Sequence, residues 1–270
     1  MSTDIRVTWL RTSCLLIEAF GKVAITDPWF GSRMWGIPVR AKPGIALADL
    51  PKVDYVFASH LHPDHFDPDS VSAFGHPDLQ IVGTLGTRER VSKKVRPGAY
   101  AEVHDLWHWD EVRLGPFRIV GTPAVHTGPA PPEINLIIDC GDDFRIFFGG
   151  DARWSSAYSE IAERFAPIDL ALLPIGGTLI FGHRVTMNPK DALRACRVLE
   201  PRWAIPIHEG GEWTSLPPAS LHPGRCVDFE RLGQPSRPLQ VVDLRGHDLV
   251  PVVAKRRRPH SISLCHRLHC

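Results

Sequence analysis

Residues 59–67 constrain the fold of this 270-residue chain more than any other stretch. They read Ser-His-Leu-His-Pro-Asp-His-Phe-Asp and directly follow 53–58, an apolar run rich in β-branched and aromatic residues that is typical of a buried strand. Counted from His60, the other candidate ligands follow at two, four and five positions, whereas one helical face recurs every three or four. The pattern therefore predicts a turn at a strand end, where irregular backbone can direct several side chains to one point.

The side chains in this turn are typical metal ligands. His60, His62, Asp64 and His65 supply three imidazoles and a carboxylate, the groups that bind zinc and similar divalent ions. Because the chain holds 14 histidines, a polar loop that is merely rich in histidine is the alternative interpretation. The position at the mouth of a strand favours metal binding, and with distant ligands the cluster has enough donors for two ions, at about three or four protein ligands each.

Three later residues repeat this arrangement of an apolar strand that ends at a possible ligand. His126, Asp151 and His208 follow the strand-like runs at 117–121, 144–148 and 203–207. Strand exits at one edge of a sheet are where α/β folds assemble their active sites. We therefore expect these three residues to join the cluster at 60–65.

The order of the segments predicts one α/β sandwich domain over residues 1–250. Strands with antiparallel hairpins come first, and strand–helix alternation follows, with helical patterns at 157–165 and 189–199. Residues 251–270 contain four consecutive cations and then a mixture of Cys and His. We expect this segment to be a basic, flexible tail; binding of a metal or an acidic partner is the alternative.

Composition excludes several classes of function. The formal net charge is +1, so no nucleic-acid partner is expected. No apolar run approaches the roughly 18 residues of a membrane span, and the first residues lack the layout of a signal peptide. The six cysteines form no Cys-x-x-Cys pair, which predicts reduced thiols and a cytoplasmic location.

The string at 60–65 with a later His, Asp and His resembles the metallo-β-lactamase fold superfamily. That resemblance implies a four-layer αββα sandwich. Further strings at 26–33, 50–54, 173–177, 187–192 and 206–208 are similar to one branch, which contains N-acylphosphatidylethanolamine-hydrolysing phospholipase D and the ascorbate-phosphate lactonase-like proteins. The chain departs from that branch at residues 11–13, where a Gly-His pair is common.

The resemblance also implies a set of seven ligands that together bind two divalent ions. The first ion is expected to bind His60, His62 and His126, the second ion Asp64, His65 and His208, with Asp151 bridging them. Zinc suits these ligands best, and manganese and iron are also compatible. Paired ions lower the pKa of a bound water to about 7, so a bridging hydroxide is the expected nucleophile.

The expected activity is hydrolysis, and the first expected substrate is a phosphodiester, cleaved in a phospholipase D-like reaction. The alternative substrate is a lactone, another carboxylic ester or a thioester. The substrate is expected to be a small molecule or lipid-like in all of these cases. A metal-binding scaffold without turnover is the alternative from another class, and retention of all seven ligands argues against it. The sequence gives no indication of the oligomeric state.

Several residues around the ligands have predicted supporting roles. Asp64 is expected to orient the nucleophile or accept its proton, and His183 to protonate the leaving group, because the phospholipase branch has a functional His in that loop. A surface histidine is the alternative for His183. Asp27, at the end of a strand, either orients a ligand histidine or only begins a turn before proline.

Substrate contacts are predicted mainly in residues 29–49, which have no clear hydrophobic period. Trp29, Arg33 and Trp35 combine aromatic rings with positive charge and would suit a substrate that has an apolar group and an anion. A surface loop with its own small core is the alternative. Arg153, directly after the Asp151 loop, is a fourth candidate contact, with structural packing as its alternative.

Overall fold

The computed structural model describes residues 5–126, 132–142 and 144–233, together with the backbone of residues 240–241 and 252–254. Two seven-stranded sheets pack face to face. The first comprises, in spatial order, β19 (Val252–Ala254), β1 (Ile5–Arg11), β2 (Cys14–Ala19), β3 (Lys22–Thr26), β6 (Tyr55–Ala58), β7 (Gln80–Thr84) and β8 (Glu102–Leu106). The second comprises β18 (Gln240–Val241), β16 (Trp203–Ile207), β13 (Leu170–Pro174), β12 (Phe144–Phe148), β11 (Ile134–Cys140), β10 (Phe117–Pro123) and β9 (Glu111–Leu114).

Helices cover the outer faces of both sheets, so the predicted four-layer αββα sandwich is confirmed. The first sheet is covered by α1 (Pro68–Phe74) and α2 (Thr87–Lys94), and the second by α3 (Ala157–Phe165), α4 (Pro189–Leu199) and α5 (Cys226–Gly233). The predicted helices at 157–165 and 189–199 are confirmed with the same bounds. Among the described residues, no helix has the length and apolarity that a bilayer crossing requires.

Strands of the second sheet are buried on both faces, which explains their continuous apolar sequences. In β12, Phe148 packs between the two sheets, whereas its neighbour Phe147 packs beneath α3 against Tyr158, with ring centroids 5.5 Å apart. Each fully buried phenylalanine contributes about 1.5–3 kcal/mol relative to an exposed one. The strands are therefore fixed rigidly beneath the loops that follow them.

Strand direction brings the predicted ligands to one end of the sandwich. In the first sheet β3, β6, β7 and β8 run parallel, and in the second sheet β12, β13 and β16 do. Because β11 is antiparallel to both of its neighbours, β10 runs in the same direction as β12. Hydrogen bonds across the sandwich, from Ser13 Oγ to Gly150 O and from His208 N to Thr12 O, hold the two sheet edges together at this end.

Two loops that showed no regular pattern in sequence contain small hairpins. The first is formed by β4 (Arg33–Met34) and β5 (Ile37–Pro38), and the second by β14 (Leu179–Ile180) and β15 (His183–Arg184), to which β17 (Ser220–Leu221) adds a third strand. Strands of two residues are too short to show alternation, so the periodicity of the sequence does not reveal them. Short 3₁₀ turns lie at Leu47–Asp49 and Gly210–Glu212.

The predicted tail at 251–270 falls largely outside the described residues. Its residues Val252–Ala254 form β19, which pairs antiparallel with β1. These three residues therefore continue the first sheet at its edge. The four cations and the Cys/His mixture lie beyond the described part of the chain.

Candidate metal centre

A tight turn after β6 gathers the histidine cluster. His65 N and Phe66 N both donate to His62 O, at 3.0 and 2.8 Å, so the chain reverses within four residues. The ring of His60 consequently lies 4.5 Å from that of His62 and 4.1 Å from that of His65, measured between centroids. The turn predicted at this strand end is present, and it directs the cluster to one point.

Three histidines form the first group of possible ligands. One nitrogen from each of His60, His62 and His126 lies within 4.8 Å of the others. Behind them Glu133 is buried, with Oε1 3.6 Å from His60 Nδ1 and Oε2 3.4 Å from His126 Nδ1. One carboxylate therefore lies against the far side of two of the three rings, the position from which such groups orient ligand histidines.

A carboxylate and two histidines form the second group. Oδ2 of Asp64 lies 3.5 Å from His65 Nε2 and 3.6 Å from His208 Nε2, and the two rings stack with centroids 5.3 Å apart. Asp151 Oδ1 is 3.8 Å from the same His208 nitrogen. The hydroxyl of Thr186 donates to this same oxygen of Asp151.

Unsatisfied atoms in this second group fit a bound cation. His65 Nε2 and His208 Nε2 are buried and have no hydrogen-bond partner among the described residues. Buried polar groups without a partner are rare in proteins. Both nitrogens face a carboxylate oxygen, and a divalent ion coordinated by nitrogen and oxygen would satisfy all three atoms.

Asp27 orients one histidine of the second group. Its carboxylate is fully buried and accepts hydrogen bonds from Ser59 N and Ser59 Oγ, both at 2.7 Å, and from His65 Nδ1 at 2.6 Å. Of the two interpretations of Asp27, the structure supports the one in which it orients a histidine. The bond to Nδ1 leaves Nε2 of His65 directed at Asp64.

The charges in the site are strongly coupled. Burial alone would raise the pKa of Asp64, but His65 and His208 outweigh burial and hold that pKa below its usual value. Burial would lower the pKa of His208, yet Asp151 and Asp64 raise it to about 10. Burial, with repulsion from His126, lowers the pKa of His62 to about 4. The second group thus strongly attracts positive charge, whereas the lowered pKa of His62 keeps that imidazole neutral at pH 7, the form that binds metal.

Two residues near the site were missed from the sequence. Glu133 is the only polar residue in a stretch of proline and apolar residues before β11, so a lone carboxylate at a strand start was the available signal. Trp213 stacks on His208 with centroids 5.3 Å apart and on Trp29 at 5.6 Å. No short motif in the sequence indicates these contacts of Trp213, because they depend on the turn at Gly210–Glu212.

The predicted substrate contacts lie in two different environments. Trp29 is 2% exposed, between the guanidinium of Arg11 and the ring of Trp213, so it belongs to the small core that was the alternative interpretation. Arg33 and Trp35 are exposed on the β4–β5 hairpin. Their role as substrate contacts stays a prediction.

The remaining two candidates lie near the β14–β15 hairpin. Arg153 is partly buried and donates from Nη1 to Arg184 O at 3.4 Å, while its Nε is buried without a partner among the described residues. His183 is exposed on β15, three residues before Thr186, which contacts Asp151. The structure therefore brings the seven predicted ligands together and places His183 on the surface, in the hairpin that leads to Thr186.

A four-layer αββα sandwich with clustered histidines and aspartates at one end defines the class of metallo-β-lactamase folds. Residues 24–208 match the family model described as the Beta-lactamase superfamily domain. The chain therefore belongs to the β-lactamase superfamily, which confirms the family and the fold predicted from the sequence.

Relatives and solved structures agree with this assignment. An uncharacterized protein of Mycobacterium tuberculosis is 30% identical over 205 residues, which cover 72% of this chain and 55% of the relative. This chain thus spans about half the length of that relative. A protein named UPF0173 metal-dependent hydrolase from Staphylothermus marinus is 28% identical over 237 residues, covering 85% of this chain and 89% of the relative. Igni18, described as a novel metallo hydrolase from Ignicoccus hospitalis, has the same fold with a TM-score of 0.73 at 20% identity, covering 94% of this chain and all of that one.

Proposed function

We propose that this protein is a metal-dependent hydrolase that holds two divalent ions and cleaves an ester bond, with a phosphodiester as the first substrate class. The observation that carries the proposal is the pair of ligand groups at one end of the sandwich. One group contains three histidines and the other contains Asp64 and two histidines, each with its potential ligand atoms within 4.8 Å of one another. Relatives named metal-dependent hydrolases support the same reaction class.

The proposed ligands divide between the ions as the resemblance to the metallo-β-lactamase fold superfamily implies. His60, His62 and His126 would hold the first ion, and Asp64, His65 and His208 the second. Asp151 is the proposed bridge, because its carboxylate has two oxygens and a histidine has one free nitrogen per ion. When bound, such ions supply an activated water and polarise the scissile bond. Zinc is the proposed metal, with manganese and iron as alternatives.

Residues of this chain have distinct tasks in the proposed reaction. Thr186 donates to Asp151 and so fixes which of its oxygens faces His208. Asp64 lies between the two imidazoles of its group, where it can orient a water molecule and accept its proton. His183 stays the proposed proton donor to the leaving group, because β15 leads directly to Thr186.

A buried positive charge favours an anionic substrate over a neutral lactone. Arg11 is 1% exposed, donates from Nη1 to Gly31 O at 2.7 Å, and has two further guanidinium nitrogens without a partner among the described residues. Burial lowers the pKa of Arg11, while the negative charge of Asp64 opposes that shift. Arg11 therefore adds positive potential near the second ligand group, which would stabilise the charge of a phosphodiester. A lactone or thioester is the second candidate.

The test compares both ester types on the same purified protein. Chelator-treated protein is reconstituted with zinc, manganese or iron, and turnover of bis(para-nitrophenyl) phosphate and of a simple lactone is measured. We expect metal-dependent cleavage of the phosphodiester, reduced at least about a hundredfold in His62→Ala. His76→Ala is the matched control, because His76 lies outside both groups and bonds Val53 O.

Each outcome separates the candidates. Metal-dependent cleavage of the lactone alone would move the substrate class to carboxylic esters. A folded, metal-loaded wild type that cleaves neither ester, even at high protein concentration, would favour the scaffold without turnover and would contradict the proposed reaction.

A further inference from the structure

Three segments beside the metal centre contain no carboxylate. None of the chain's 30 acidic residues falls within residues 29–48, 176–190 or 213–225, which we call the rim. The same segments contain six cations: Arg33, Arg40, Lys42, Arg184, Lys190 and Arg225. In a chain with a net charge of +1, the rim is therefore a local concentration of positive charge. Glu212, which borders the third segment, is buried and adds no exposed negative charge.

Hydrogen bonds join the three segments into one surface. Residues 213–225 lie in the middle: Thr214 Oγ1 donates to Pro38 O of the first segment at 3.0 Å. The same residues 213–225 also contact the second segment: Phe181 N donates to Ala219 O at 2.9 Å, and β17 pairs with β14. Both hairpins are thus attached to the chain that directly follows His208.

The rim also borders the proposed ligands directly. Trp213 stacks on His208 and on Trp29 at the base of the first hairpin. At the base of the second hairpin, the hydroxyl of Thr186 donates to Asp151. The rim is therefore the part of the surface next to the second ligand group.

Exposed apolar side chains are concentrated on this positive surface. Seven large apolar residues are exposed in the described part of the chain, and four of them lie on the rim. Those four are Trp35 at 75%, Phe181 at 74%, Leu216 at 42% and Leu221 at 41% exposure. The two aromatic residues are the most exposed of all seven.

Both aromatic residues occupy the same unusual position in a hairpin turn. Pairing of Met34 with Ile37, and of Ile180 with His183, leaves two-residue turns, Trp35-Gly36 and Phe181-Gly182. Trp35 and Phe181 have φ of 48° and 45°, and the glycines after them also have positive φ. Such turns favour Asn, Asp or Gly at the first position, and a bulky side chain with positive φ is uncommon. Neither turn preference nor burial explains an aromatic residue here, which points to a contact outside the chain.

We propose that the rim docks this protein onto an anionic lipid surface. Trp35 and Phe181 would enter the headgroup region with the two leucines. The four exposed cations of the rim, Arg33, Arg40, Lys42 and Lys190, would pair with lipid phosphates. A second copy of this chain is less favourable, because a two-fold contact would place these cations against one another. Docking would place the entrance of the metal centre at the lipid surface. The proposal does not depend on the hydrolase assignment.

The experiment measures binding of the full chain to vesicles. Sedimentation with phosphatidylglycerol–phosphatidylcholine vesicles is compared with sedimentation on pure phosphatidylcholine, at low and high salt. We expect binding to the anionic vesicles only, weakened by salt. Trp35→Ala/Phe181→Ala should lower the partition coefficient at least about tenfold. Arg33→Gln/Lys42→Gln should lower it about 25-fold, at roughly fivefold per cation.

Trp107→Ala is the matched control, because Trp107 is exposed between β8 and β9, at the opposite side of the sandwich from β16. It should bind as the wild type does. Residues 255–258 are also four consecutive cations, and binding through them would survive in the aromatic double variant. Unchanged binding by that variant would therefore overturn the proposal. Failure of the wild type to bind anionic vesicles would also overturn it. If such a wild type forms a dimer that dissociates when the two aromatic residues are replaced, the rim is an interface between two copies of the chain.

Discussion

Replacement of Asp27 by asparagine tests how the second ligand group is assembled. The carboxylate accepts three hydrogen bonds, from Ser59 N, Ser59 Oγ and His65 Nδ1, all between 2.6 and 2.7 Å. Asparagine has the same shape but only one acceptor oxygen. In Asp27→Asn the bond to Nδ1 either is lost or becomes neutral, so His65 loses its fixed orientation and part of its basicity.

The expected magnitude follows from the type of contact. Loss of a carboxylate that orients a ligand histidine lowers metal affinity by about 10–100-fold, which corresponds to about 1.4–2.7 kcal/mol. The effect should fall on one ion only. His60 and His126 lie against Glu133 instead, with separations of 3.6 and 3.4 Å, so the first group keeps its support.

A competitive titration with a chromophoric chelator resolves the two dissociation constants. We expect one constant to rise by about 10–100-fold in Asp27→Asn and the other to stay unchanged. Asp54→Asn is the matched control, because Asp54 is a bonded carboxylate at the opposite end of β6, where it accepts from Lys22 Nζ at 2.7 Å and Val23 N at 3.0 Å. An equal loss at both sites, or no loss at either, would refute the assignment of Asp27 to the second group.

Three further predictions use other parts of the structure. The ring of His208 is stacked on Trp213, and its Nδ1 has no partner among the described residues. Trp213→Ala should therefore lower the affinity for one of the two ions by about tenfold in the same titration, and Trp213→Phe should restore that affinity. Equal affinities in all three proteins would contradict this role. The four described cysteines are buried, and burial raises the pKa of Cys14 and Cys196 to about 12. In a Cys265→Ser/Cys270→Ser variant, dithionitrobenzoate should therefore label no thiol before the protein unfolds. Rapid labelling of the folded variant would contradict the burial. Leu172 is fully buried between the sheets, so Leu172→Ala should lower the free energy of unfolding in urea by about 2–5 kcal/mol, and a loss below about 1 kcal/mol would show a poorly packed core.

The fold could be predicted because its elements carry strong local signals. Helix α4 begins where the sequence indicates, since Asn188 and Asp191 form a reciprocal capping box around Pro189. The strands before the ligands are continuous apolar runs, which is typical of strands buried on both faces. Short hairpins with two-residue strands have no such signal, and so the β4–β5 and β14–β15 hairpins did not emerge from the sequence.

The ligand cluster was accessible to sequence reasoning for a different reason. Four of its seven members are neighbours in the chain, and each of the other three ends a recognisable strand. The residues that support the ligands have no such context. Glu133 contacts His60 from 73 positions away, and Trp213 reaches Trp29 only because the chain turns after His208. Contacts of this kind depend on the packing of two sheets, which periodicity and spacing do not specify.

The most direct test of the central claim is the metal content of purified protein, measured by elemental analysis on the wild type, His126→Ala and His208→Ala. The account predicts two ions per chain in the wild type and about one in each variant, because each substitution removes a ligand from a different group. Retention of two ions in both variants, or a folded wild type that binds no divalent ion after reconstitution, would contradict it.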